Sequence, residues 1–357
     1  MTTVTRAQVL AWRMRRQHLT EPGDVSAVEI ARRLAGVQAQ VPSAAAQAVA
    51  FRQAEPDEHE IDRALREEKT LVRMWSVRGT LHLHAAEEAA LYGSAMAAVR
   101  TWERPSVLRG HGVTLAEITA IIDAVAEVLP GRVLTREELT EAVLEHTGSP
   151  HLAEVLRSGW GFALKPASWL GLLCHGPAEG NRVTFTSPST WLPGWRQVPA
   201  EDAGPELIKR YLGAHGPSTV ADFERWFARS AKASLLKPWF ASVRDELAEV
   251  TVDGVPMLAR AEDVDELVAT APNKLVRLLP AFDQYVIAAN RDLIPAEHLA
   301  KVSRTAGWIS PVVLHGGRVA GVWKEEDGAV SVQQFERLPK KTLVAEVARL
   351  LPGRSLV

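Results

Sequence analysis

Two glutamines stand two residues apart in the stretch Gly36-Val37-Gln38-Ala39-Gln40-Val41-Pro42. On an extended segment, residues i and i+2 point to the same side, so both amides can flank one water. Glutamine has no titratable proton near neutral pH and cannot act as a general base in the usual sense. Its carbonyl can still accept a hydrogen bond from water and turn a negative dipole toward developing positive charge. A Gln-x-Gln on a loop after a helix is common, however, and the spacing by itself assigns no role. His82 and His84 alternate with Leu81 and Leu83, which places both imidazoles on one face of an expected strand. A metal site would need a third ligand, and no Cys or Asp lies near in the sequence, so no metal is expected there. Contact with DNA or water, or a hydrogen bond to backbone, are the readings left for this histidine pair.

Charge offers a second set of candidates. The formal net charge of -2 argues at first against a polyanionic partner, but binding of nucleic acid depends on local charge. Residues 1–52 carry arginines at 6, 13, 15, 16, 32, 33 and 52 against only Glu21, Asp24 and Glu29, so the positive excess lies at the N-terminal end. Arg13 and Arg16, beside Trp12, are candidates for DNA contact, and a solvated helix face is the plain alternative. Arg73 and Arg78 fit phosphate contacts or structural ion pairs equally well. His315-Gly316-Gly317-Arg318 reads as a hairpin tip that could enter a minor groove, where arginine is a frequent occupant; an ordinary surface turn would look the same.

Several classes of chemistry find no support. A single cysteine, Cys174, cannot form an internal disulfide or supply a cysteine zinc site. No run of eighteen apolar residues occurs and the first residues lack the apolar core of a signal peptide, so a cytoplasmic protein is expected. No Walker loop, dinucleotide-binding glycine pattern, His-Glu-x-x-His or Gly-x-Ser-x-Gly is present, and no cofactor is expected.

The elements that must position these residues recur in a pattern. A helix near 6–17 is followed by Ser26, which has capping-box spacing to Glu29 at the start of a second helix, and by a third helix near 44–52. Two short strands follow, broken at Gly79. A second copy begins with the amphipathic stretch Leu115–Ile122, stops at Pro130-Gly131, and restarts at Thr135 with Glu138 again at capping-box spacing. A third copy has helices over 205–212, 220–227 and about 233–247, then a hairpin around Asp253-Gly254. Helix, turn, helix, third helix and β wing is the winged-helix arrangement. From Leu275 strands dominate, up to a last helix over about 340–351. The expected architecture is α+β and mainly helical. Three tandem winged-helix units occupy 1–110, 111–200 and 201–272, and a strand-rich C-terminal region occupies 273–357.

With these elements in place the sequence resembles the AlkZ-type DNA glycosylases, a group of winged-helix DNA-binding-domain proteins. The likeness is carried by the Gln38-Ala39-Gln40 stretch, by Arg78-Gly79-Thr80-Leu81-His82-Leu83, by Leu278-Leu279-Pro280-Ala281-Phe282-Asp283-Gln284-Tyr285, and by the hairpin at 309–323. These stand in the family's order and cover about residues 5–350. The resemblance implies a C-shaped scaffold that cradles double-stranded DNA. It also implies a monofunctional glycosylase that removes bulky N-alkylated purines, interstrand crosslinks included, and a DNA-probing hairpin that falls on His315–Arg318. Gln38 and Gln40 match its catalytic glutamine motif, and a role in self-resistance to a genotoxin is compatible with it. Asp283 and Tyr285 are expected to be structural. The chemistry suits an amide pair, because alkylation at N7 of guanine or N3 of adenine already makes the base a cationic leaving group. A monomer is expected. The readings from other classes are a non-catalytic winged-helix regulator or lesion sensor, and a helical scaffold for protein partners.

Overall fold

The helices Arg6–Arg16, Ala27–Arg33, Leu115–Val128 and Arg136–Thr147 each begin at a capping box, in which a Ser or Thr hydroxyl accepts from the N3 backbone and the N3 side chain reaches back. The two boxes expected from spacing are therefore present. Ser26 Oγ accepts from Glu29 N at 3.2 Å, and Thr135 N donates to Glu138 Oε2 at 2.8 Å. Each satisfies backbone donors that a helix start leaves orphaned, worth about 1 kcal/mol. The computed structural model describes residues 2–158 and 161–357, and its contacts fall into two compact units of mixed α+β character.

One unit comprises residues 1–58, 209–226 and 243–357. Its small sheet is made by Thr2–Val4, which runs parallel to Leu247–Val252, and by Val255–Arg260, which pairs antiparallel with the latter. The turn between those two strands holds Asp253 at φ 46° and Gly254 at φ 85°, the positive angles that a two-residue hairpin needs. The expected helix to residue 247 stops earlier, at Ser242, because Leu247 is already paired with Arg260. A larger sheet runs in the order Val276–Leu279, Val312–His315, Arg318–Glu326, Ala329–Gln334, Ser355–Leu356. The helix Lys340–Leu350 packs its Leu343 and Val347 into a core with Leu278, Val313, Trp323 and Phe51. A second core joins Leu10 and Met14 of the first helix to Leu279, Tyr285, Val312 and Leu314.

The other unit comprises residues 59–208 and 227–242. Within it the strands Leu81–Ala85, Leu71–Trp75, Cys174–His175, Thr184–Thr186 and Val133–Thr135 lie side by side in that order, all antiparallel. The break expected at Gly79 is a tight turn, in which Arg78 adopts φ 59° and Gly79 φ 68°. Val72 and Met74 bury against Ala89, Cys174 and Leu192. No helix among the described residues is long and apolar enough to cross a membrane.

Candidate functional site

The segment carrying the glutamine pair is launched by the end of the helix Ala27–Arg33. Ala35 N donates to Arg32 O at 3.1 Å and Gly36 N to Ala31 O at 2.8 Å, the paired bonds of a Schellman cap. That cap puts Ala35 in the left-handed region at φ 55° and Gly36 at φ 100°. A non-glycine residue is disfavoured there by about 1 kcal/mol, and the turn redirects the chain into the short strand Val37–Gln38. Pro42 then opens the helix Pro42–Ala50 at its first position, where its missing N–H is harmless. The pair is thus held between two helix termini. Its members differ in exposure: Gln38 is only 7% exposed and Ala39 2%, while Gln40 is open to solvent. The strand ends at Gln38 and Gln40 stands in a bend, so the segment sets one amide inside the fold and one where solvent reaches it.

The arginines of the N-terminal helix face inward more than charge counting suggests. Arg13 is 3% exposed and donates to the carbonyls of Gly216 at 3.1 Å and Pro217 at 2.8 Å. Burial lowers its pKa. Arg16 lies 3.8 Å from Asp263 and 3.7 Å from Glu266, with its guanidinium over the Trp12 ring. Trp12 is itself buried and donates its indole N–H to Glu266 at 3.1 Å. Arg6 pairs with Asp292. Arg52, fully buried, forms a bidentate pair with Asp283 at 2.7 and 2.8 Å. The expectation of a DNA contact from Arg13 is corrected accordingly: its side chain has no open face for a ligand, and Trp12 beside it is buried too.

His82 and His84 are likewise buried, at 0% and 1% exposure. Ser76 Oγ lies 3.0 Å from His82 Nδ1 and 2.8 Å from His84 Nε2, and His84 stacks on Tyr92 with ring centroids 3.8 Å apart. The Thr80 carbonyl, 3.1 Å from His82 Nδ1, accepts its proton, which leaves Nε2 as the acceptor for Arg78 at 3.3 Å. Desolvation holds His82 well below its ordinary value and pushes His84 down to about 3. Both imidazoles are therefore neutral struts of the 76–80 turn. The reading that they meet DNA directly is corrected, since no described face of either ring is open. Among the described residues no group of three or more His, Cys, Asp or Glu could hold a metal ion.

Arg73 and Arg78 differ from the first-helix arginines. Arg73 is half-buried on the strand Leu71–Trp75 with its pKa lowered by desolvation, and no carboxylate offsets it. Arg78 is brought down to about 10 by burial and, second, by the neighbouring Arg229. Both remain open to a phosphate role. The hairpin tip is a different matter. His315 Nδ1 lies 2.7 Å from Glu336 Oε1, Gly316 N donates to Leu275 O, and Gly317 O accepts from the Tyr285 hydroxyl at 3.0 Å. A Cβ on Gly317 would meet that hydroxyl at 2.7 Å and Leu10 at 2.8 Å. The tip is clamped to the core rather than projecting from it, and of these four residues only Arg318 is exposed. The structural role expected for Asp283 and Tyr285 fits these bonds. Lys165, whose ammonium lies by the Gly79 backbone, carried no signal in the sequence.

A family model described as DNA glycosylase AlkZ-like matches residues 31–352. The chain is 44% identical over 352 residues to an interstrand DNA cross-link repair glycosylase of Streptomyces sahachiroi, covering 96% of this chain and 95% of that protein. It superposes on the solved structure of the Streptomyces sahachiroi DNA glycosylase AlkZ with a TM-score of 0.94 at 40% identity, over 100% of both chains.

Proposed function

The chain belongs to the AlkZ-like DNA glycosylase family, and from that premise we propose that it hydrolyses the N-glycosidic bond of bulky or crosslinked N-alkylated purines in duplex DNA. Gln38 and Gln40 are the catalytic pair of this reading. The single observation that carries it is full-length similarity to a cross-link repair glycosylase in a chain whose Gln-x-Gln segment is fixed between two helix ends, one amide sunken and one open.

The chemistry needs little from the protein. An N7-alkylated guanine carries a positive charge, so the glycosidic electron pair leaves onto a base that becomes neutral. Water adds to C1′ of an oxocarbenium-like sugar and gives up its proton to solvent, since neither amide can take it. The amide carbonyls accept hydrogen bonds from that water and set their negative ends toward the developing charge. Neither glutamine titrates, so the rate on a permanently cationic base is expected to be flat from about pH 6 to 8.

The same reading includes a monofunctional reaction that leaves an abasic site, a monomer acting in the cytoplasm, and a place in self-resistance to a genotoxin. It keeps three winged-helix units within 1–110, 111–200 and 201–272, followed by the strand-rich region 273–357. What supports the third unit is the succession of helices Val220–Phe227 and Ala233–Ser242 and the hairpin of Leu247–Val252 with Val255–Arg260. Arg16, Arg73, Arg78 and Arg318 are its candidate DNA contacts.

The test is a duplex crosslinked through N7 of guanine on opposite strands, incubated with the protein and run on a denaturing gel after alkaline cleavage of abasic sites. Separated, cleavable strands are expected. Crosslinked DNA that is bound but never opened, with no release from monoadducts either, would replace an enzyme with a lesion sensor.

A further inference from the structure

An open cavity of about 750 Å³ lies in the unit that carries the glutamine pair. Gln47, Lys301, Arg304, Trp308 and Trp323 are among the residues that line it. One wall is the 303–309 loop, drawn tight by its own backbone. Arg304 N donates to Trp308 O at 2.8 Å, Ser303 is bridged to Ile309, and Ser310 N donates to Val302 O at 2.9 Å. Arg304 and Trp308 therefore stand opposite each other at the feet of one turn. The Ser310 hydroxyl donates to the Lys301 carbonyl at 3.0 Å, which fixes the backbone of a second cation beside them. The Trp308 ring meets Phe282 edge to face, with centroids 4.9 Å apart, and stays 41% exposed.

The charges of the cavity do not cancel. Its two acids are both taken, Glu326 by Lys324 and Glu325 by Arg354. Lys301 and Arg304 form no ion pair with any described residue, and the Lys301 ammonium lies 5.5 Å from the Phe335 ring centroid. A single exposed tryptophan is ordinary on a protein surface. A ring and two unpaired cations on the wall of one cavity match two parts of one ligand, a flat base and a phosphate. The cavity also stands close to the glutamine pair. Gln47 lies on the helix Pro42–Ala50, about 7.5 Å of helix rise beyond its first residue, a reach of about two to three base steps along a strand. Val41 and Ala44, at the start of that helix, share a core with Phe282, Ile309 and Val322.

We infer that this cavity holds an unpaired nucleotide of the DNA strand, with its phosphate against Lys301 and Arg304 and its base against the Trp308 ring. A paired base inside a duplex shows no free face to a side chain, whereas an unpaired one can stack on an aromatic ring. A concave site fits a single displaced unit better than a flat patch would. That DNA is the ligand rests on the glycosylase reading; the cavity, its ring and its two cations stand on the geometry.

The experiment measures Kd across a salt series for the full-length protein with two undamaged probes, single-stranded oligothymidylate and a fully paired duplex. Trp308→Leu keeps an apolar contact with Phe282 but no ring. It is expected to weaken single-strand binding by roughly tenfold with an unchanged salt slope, and duplex binding by less than about twofold. Trp308→Phe restores a ring and is expected to recover most of the loss. Arg304→Gln and Lys301→Gln are each expected to lower the single-strand slope of log Kd against log salt by about 0.7. Wild-type single-strand affinity in folded Trp308→Leu would overturn the site, as would equal losses on both probes or an unchanged slope in either cation variant. Should Trp308→Leu fail to fold, the two cation slopes decide alone. Base release from an alkylated duplex by wild type is scored separately. Release with strand binding indifferent to Trp308 would sink the cavity and spare the glycosylase reading, and Trp308-dependent strand binding without release would do the reverse.

Discussion

The two units of the chain treat buried positive charge in opposite ways. In the unit built from 1–58, 209–226 and 243–357, inward-facing cations meet acids: Arg52 meets Asp283, Arg277 lies 3.5 Å from Glu346, Arg260 is held by Asp263, and Arg16 lies near Asp263 and Glu266. In the unit built from 59–208 and 227–242, the half-buried Arg73 and Lys165 have desolvation and nothing to offset it. Charge in the first unit holds segments together. At Arg73 and Lys165 in the second it is left without a partnering carboxylate. A basic count over 1–52 overstates the charge left over there, because the buried Arg13 and Arg52 are already engaged by carbonyls and a carboxylate.

That contrast can be broken or sharpened by substitution. The largest effect is expected from Asp283→Asn, which leaves the fully buried Arg52 guanidinium uncompensated. Loss of a buried pair's partner costs about 3–5 kcal/mol, to be read from the denaturant midpoint; a loss under about 1 kcal/mol would mean the pair is no brace. Acidification comes next and acts on the second unit. His82 and His84 stay neutral in the fold, with His84 at about 3, whereas unfolded histidine titrates near its ordinary value of about 6.5. Below that pH the unfolded chain takes up protons that the fold refuses, so stability is full above it. It falls by up to about 1.4 kcal/mol per pH unit for each histidine as pH drops toward the folded values. His84→Gln should flatten part of that slope between about pH 6 and 4.5, and an unchanged slope would count against the buried, neutral imidazole. Tyr285→Phe, which unties the hairpin tip at Gly317, is expected to cost about 1 kcal/mol, visible in the same midpoint. Arg73→Gln is expected to change stability least, with an unchanged or raised midpoint; a drop as large as that of Asp283→Asn would erase the difference between the units.

What can be read in the sequence is local. Ser26 with Glu29 and Thr135 with Glu138 mark helix starts because both partners of a capping box lie within one turn. The Asp253-Gly254 turn is legible because only a few residues tolerate its backbone angles. Gln38 and Gln40 stand out by type, and only the resemblance gives them work. The alternation of His82 and His84 places them on one strand face, but strand periodicity does not say whether that face meets solvent; Tyr92, on a later helix, covers His84. Arg13 cannot be read as buried because its acceptors at Gly216 and Pro217 lie some two hundred positions on. Lys165 is silent for the same reason: it reaches the Gly79 backbone only when the segments near 79 and 165 meet.

The central claim is that a pair of neutral amides runs the reaction. Release of N7-methylguanine from methylated duplex DNA, by wild type and by Gln38→Ala and Gln40→Ala at equal occupancy, tests it most directly. The account predicts that release collapses in both variants while Kd for the duplex stays within a small factor of wild type. Both variants releasing the base at the wild-type rate would contradict it and move the chemistry to other residues.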